Sequence, residues 1–107
     1  MQGYYLMTKP EMDKLMKEIF VIINKTRDEG QAEYARADED VFANFRRVGS
    51  YTGQPKEAVL MTYFMKHIDG IASHINGHTS QREDVTGRIT DAIVYLCLLW
   101  GMVDENK

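Results

Sequence analysis

One cysteine in 107 residues excludes an intrachain disulfide. Cys97 sits in the most apolar run of the chain and reads as a small core residue, a usage that suits a reducing, cytoplasmic setting. Uninterrupted apolar runs are short: none approaches the ~20 residues of a membrane span, and the first seven residues lack the basic start and apolar stretch of a signal peptide. A soluble chain that does not enter a membrane is therefore expected. Positive charge is not in excess either. The formal net charge is −3, which argues against binding duplex nucleic acid, a task that wants a basic face. Any anionic ligand must then be held by a few local arginines and lysines. Period-two alternation, internal repeats and low-complexity tracts are missing as well. So are HExxH, the phosphate-binding loop, GxGxxG and GxSxG. His74 and His78 stand four apart, but Gly77 between them breaks the helix that would align them on zinc.

What is present is helical spacing. Thr8-Lys9-Pro10-Glu11 reads as a capping box with Pro in the first turn. Behind it Met12, Leu15, Met16, Ile19, Ile22 and Ile23 share one face, and Gly30 is the expected stop. A polar stretch follows to Asp40. Val41, Phe42, Phe45 and Val48 predict a short helix begun by Asp38 or Asp40, with 49–55 as its end and a loop. From Lys56 a long helix carries Leu60, Met61, Phe64, Met65, Ile68, Ile71, Ala72 and Ile75, closed by Asn76-Gly77-His78. Ser80 and Glu83 read as the capping box of a last helix. Its apolar stripe is Val85, Ile89, Ala92, Ile93, Leu96, Leu99, Trp100 and Val103, bordered by the row Asp84, Arg88, Asp91 and Tyr95. Residues 93–100 are apolar all round, which predicts burial on every side, with part of the cover coming from another subunit. The fold class is all-α: one domain over 1–107, a bundle of three long helices and one short one, oligomeric, with 1–7 as an arm.

Three places hold more polar function than a bare bundle needs. Tyr34, Asn44, Phe45, Arg46 and Arg47 mix the residue types that stack on a base, read its edge and hold a phosphate. The plainer alternative makes Phe42 and Phe45 core and the arginines a solvated face. Lys66 lies on the row Val59, Tyr63, Lys66, Gly70, where Gly70 leaves room for it to reach a phosphate; the alternative is a boundary lysine paired with Asp69. His67 shares a row with Leu60, Phe64 and Ile71, and a lone histidine there is more often a hydrogen-bonded core residue than a ligand. Arg82, Asp84, Arg88 and Asp91 form the third place. Asp84 and Arg88 can be an ordinary i, i+4 pair, worth about 0.3–0.5 kcal/mol. Asp91, followed at once by Ala92-Ile93-Val94, needs a partner: Arg88, Lys66, His67 or a ligand.

Three blocks together, Asp40-Val41-Phe42-Ala43-Asn44-Phe45, Tyr63-Phe64-Met65-Lys66-His67 and Arg88-Ile89-Thr90-Asp91-Ala92-Ile93-Val94-Tyr95-Leu96, resemble small phage-encoded proteins of the nucleotide modification-associated type, over residues 29 to 105. The last block is also similar to the second half-motif of MazG-like all-α nucleotide pyrophosphatases. Those enzymes cage magnesium with an ExxE and an ExxD set, and here Arg88 stands three before Asp91, so the second set is broken. Glu29 and Glu33 are the only remnant of the first, at a helix end. The resemblance therefore implies nucleotide binding without catalysis, with neither metal nor cofactor. The ligand-binding residues expected from the three polar places are Tyr34, Asn44, Phe45, Arg47, Lys66, His67, Arg82, Arg88 and Asp91. The resemblance further implies a phage sponge for cyclic-nucleotide immune signals in the host cytoplasm, self-associating through 93–100. Two alternatives stand beside it: a metal-dependent nucleotide pyrophosphohydrolase using Asp91 with Glu29, Glu33 or Asp84, and a structural protein with no small ligand.

Overall fold

A computed structural model describes residues 5–35, 39–78 and 82–107. Among these residues there are four α-helices and no strand, in the order α1 (Lys9–Gly30), α2 (Ala43–Thr52), α3 (Lys56–Ile75) and α4 (Val85–Glu105). The chain is the all-α bundle of three long helices and one short one that its periodicity predicts.

Local chemistry sets most of the boundaries. Thr8 caps α1 as expected: its hydroxyl accepts from the Glu11 amide at 3.3 Å, and the Glu11 carboxylate accepts from the Thr8 amide at 3.3 Å. Gly30 does not stop the helix. Gln31 keeps right-handed helical angles, and the chain runs on as a π-helical turn over Gln31–Ala35. The N-cap of α2 is Phe42, not Asp40; Asp40 shapes the turn before it, its carboxylate accepting from the Phe42 amide at 3.0 Å and its carbonyl from the Ala43 amide at 3.1 Å. Asp38 lies outside the described residues. The helix passes through Gly49 and ends three residues later, where Gly53 takes a left-handed φ of 71°. Gly49 is needed for a different reason: a Cβ there would lie 2.4 Å from the Gln54 carbonyl oxygen. Gly77, at φ 95°, follows α3 as expected. The start of α4 differs. Its N-cap is Asp84, whose carboxylate accepts from the Thr86 hydroxyl at 2.8 Å; Ser80 falls outside the described residues.

Helices α3 and α4 run antiparallel, since Lys56 at the start of α3 lies 3.7 Å from Glu105 at the end of α4, while His67 meets Asp91. The core is Phe42, Phe45, Val59, Leu60 and Met102, flanked by Val48, Tyr63, Tyr95, Leu98 and Leu99. The orientation of α4 reverses one expectation. Its inner side is Arg88, Ala92, Tyr95 and Met102, whereas Ile89, Leu96, Trp100 and Val103 of the predicted stripe face outward, Trp100 being 73% exposed. The segment 93–100 is thus not buried on every side within one chain. Periodicity marks an apolar face but does not say which neighbour takes it, and a helix apolar all round offers two such faces.

Helix α1 buries no residue completely. It lies against α4 with Leu15, Ile19, Ile23 and Thr26 half-buried, leaving Met12, Met16 and Phe20 exposed on another face. The result is elongated, 55 × 29 × 26 Å, with a radius of gyration of 16.6 Å against about 13 Å for a compact domain of this length. Among the described residues, α4 alone is long and apolar enough to cross a bilayer, a test that the core helix of a soluble bundle also passes.

Candidate functional site

On the face of α3 that carries Leu60, two helical turns further on, His67 enters the interface with α4 and is 8% exposed. The Tyr95 ring lies over it with centroids 5.6 Å apart. One turn earlier on α4, Asp91 Oδ2 is 3.7 Å from His67 Nε2, longer than a hydrogen bond, and His67 Nδ1 is buried with no partner. Glu83, in the connection leading into α4, completes the group. One donor atom each from His67, Glu83 and Asp91 lie within 4.8 Å of one another. Burial pushes the Asp91 carboxyl above its ordinary range; His67 pulls it down and Glu83 pushes it further up.

Arg88 closes the cluster from one side. Its side chain is 14% exposed, Nη1 lies 3.9 Å from Glu83 Oε2, and its buried Nε has no partner. The room it occupies exists because residue 70 is glycine: a Cβ there would sit 2.5 Å from Arg88 Nη1 and 2.6 Å from its Cδ. Gly70 makes space for Arg88, not for Lys66.

Asp91 also faces a cavity of about 110 Å³ between the end of α1, α2 and α4, lined in part by Arg27, Asn44, Phe45 and Tyr95. Across Asn44 and Tyr95 lies an open groove of about 320 Å³ that takes in Arg47, Val48 and Tyr63. A second groove, bordered by Thr26, Glu83, Asp84 and Thr90, meets the cavity at Asp91. Phe45, Tyr63 and Tyr95 form a ring cluster with centroids 6.1–6.4 Å apart.

The structure thus gathers Asn44, Phe45 and Arg47 around the cavity and groove, and His67, Arg88 and Asp91 into the histidine–carboxylate cluster. Two predicted residues are not brought in: Lys66 and Arg82 are exposed, and neither lines these spaces. The Tyr34 side chain lies outside the description. Phe45 serves the core as much as the cavity, being 3% exposed. Glu29 and Glu33 are exposed and stand outside the group around Asp91, as does Asp84. Glu83 and Arg27 carry no pattern in the sequence that marks them as site residues; Glu83 reads there only as a helix cap. Only Tyr95 carried a signal, as the last member of the row through Arg88 and Asp91.

Searched against known protein families, characterised proteins and solved structures, the chain matches none of them. Its function must be read from the residues themselves.

Proposed function

We propose that the protein binds a small nucleotide and holds it without turnover. The observation that carries this reading is the wall formed by Asn44 and Tyr95, with a cavity on one side and a groove on the other. An amide can pair with a base edge through both a donor and an acceptor, and the neighbouring rings of Tyr63 and Tyr95, which line the groove, offer faces for stacking. Arg27 at the cavity and Arg47 at the groove supply guanidinium groups for phosphate oxygens. With a net charge of −3, such local cations are the means of holding an anion. The resemblance to small phage proteins directs the reading toward a cyclic-nucleotide immune signal sequestered in the cytoplasm of an infected cell. Self-association through 93–100 belongs to the same proposal, because a two-fold assembly repeats each contact for a symmetric ligand. Leu96 and Trp100 of that segment are exposed and able to meet a second copy.

The test is calorimetric titration with nucleoside triphosphates and cyclic di- and trinucleotides, with and without a divalent cation, followed by recovery of the ligand. Asn44→Ala and Arg47→Ala are expected to weaken binding about tenfold or more, equivalent to roughly 1.4 kcal/mol each, with helical content retained. Lys66→Ala should bind as wild type. Equal affinity in all four proteins would refute the placement of the site. A second reading, a metal-dependent nucleotide pyrophosphohydrolase, is favoured by one observation: Asp91 belongs both to the cavity and to a carboxylate–histidine group. A ligand consumed only when a divalent cation is present would establish it.

A further inference from the structure

We infer that His67, Glu83 and Asp91 form a binding site for one divalent transition-metal cation per chain, of the Mn²⁺, Co²⁺ or Zn²⁺ class. The three residues come from three places, α3, the α3–α4 connection and α4, and converge from separate directions as metal ligands do. With bonds of about 2.0–2.1 Å, donors around a tetrahedral ion stand roughly 3.4 Å apart. His67 Nε2 and Asp91 Oδ2 are at 3.7 Å, and the whole donor set lies within 4.8 Å, so a small closure by the half-exposed Glu83 side chain brings it into range.

Two further observations point to a ligand in this place. The first is His67 itself. Its imidazole is nine-tenths buried, Nδ1 has no partner, and Nε2 is aimed at a carboxylate it does not reach by a hydrogen bond. A cation at Nε2 would fill the gap between that nitrogen and the Asp91 carboxylate, while Nδ1 stays the buried nitrogen without a partner. The second is charge. Two carboxylates face one guanidinium, Arg88, whose packing against Gly70 keeps it near Glu83, 3.9 Å away. Two carboxylates outnumber the one guanidinium, so a cation is attracted even with Arg88 in place.

The donor set also selects the ion. Mg²⁺ prefers an all-oxygen octahedron, whereas an imidazole with two carboxylates suits zinc and the neighbouring transition metals. Three ligands from the chain leave coordination positions for water or a phosphate oxygen, and Asp91 opens toward the cavity where such an oxygen would arrive.

The site can be tested with the metal alone, so its failure would leave nucleotide binding standing. The full chain, stripped with a chelator, is titrated with Co²⁺ while its visible absorption is followed, and with Zn²⁺ and Mn²⁺ by calorimetry. One ion per chain is expected, with Glu83→Gln, Asp91→Asn and His67→Gln each weakening it at least about tenfold. Circular dichroism checks the fold; should the buried His67→Gln variant not fold, the two carboxylate variants carry the test. His74→Gln, outside the cluster, should bind as wild type. No cobalt band at millimolar Co²⁺ overturns the proposal. So does wild-type affinity in Glu83→Gln and Asp91→Asn, which would leave a buried histidine packed beside two carboxylates.

Discussion

Asp91 is the residue on which most of the site turns, and its energetics make a prediction of definite sign. Burial lifts its carboxyl above the ordinary value of 3.8, with Glu83 adding to the lift against the pull of His67. An acid whose folded pKa is raised destabilises the fold above that pKa and does so no longer below the unfolded value. Metal-free Asp91→Asn should therefore melt above wild type at pH 7, with the gap closing as the pH falls through the raised folded pKa and gone below about 4. In excess Mn²⁺ the gap should shrink or reverse, because wild type gains more stability from the bound ion than the weaker-binding variant. Calorimetry in chelator and in Mn²⁺ reads both signs; a variant less stable than wild type in chelator would mean that Asp91 is a structural ion-pair partner. That Asp91 needed a partner was legible in the sequence, since Ala92-Ile93-Val94 follow it directly. Glu83 was not legible. It lies in a connection, where no helical period ties it to Asp91, and only the fold brings the two together.

At the scale of elements, the contact between α3 and α4 rests on a glycine filled by an arginine. Gly70→Ala ordinarily favours a helix by about 1 kcal/mol, but here the new Cβ would fall 2.5 Å from Arg88 Nη1. Overpacking of that kind costs about 1–3 kcal/mol, so Gly70→Ala should destabilise the chain on balance. Once Arg88→Ala has emptied the space, the same substitution should stabilise it by up to about 1 kcal/mol. Denaturant melts of the four proteins give the coupling directly, and additive effects would show that Arg88 moves aside freely. Helix boundaries were legible where side chains cap them, as at Thr8, or where a left-handed glycine ends them, as at Gly77. They were not legible at Gly30 and Gly49, both of which stay inside helical or π-helical backbone. A glycine spared for space looks the same in sequence as one spared for its φ.

The whole molecule leaves apolar surface that a single chain does not cover. Met12, Met16 and Phe20 make a row along α1, and Leu96, Trp100 and Val103 do so on α4; all six are at least 41% exposed. Soluble monomers rarely keep such faces bare. The extended shape points the same way, because a helix with no fully buried residue draws only part of its stability from packing on its own chain. Two helical faces of this length are enough for an interface of ordinary size, about 800 Å² per partner. Sedimentation of the wild-type chain is therefore expected to show a dimer or larger assembly at micromolar concentration. Leu96→Glu combined with Trp100→Glu should shift it toward monomer and lower its melting temperature, since charge placed in an apolar contact must be desolvated without a partner. Because Leu96 and Trp100 face away from the chain's own core, the same pair of substitutions would cost little in a protein that is naturally monomeric. A wild type that sediments as a monomer and melts unchanged on substitution would remove self-association from the proposal, and a symmetric ligand would lose its support with it.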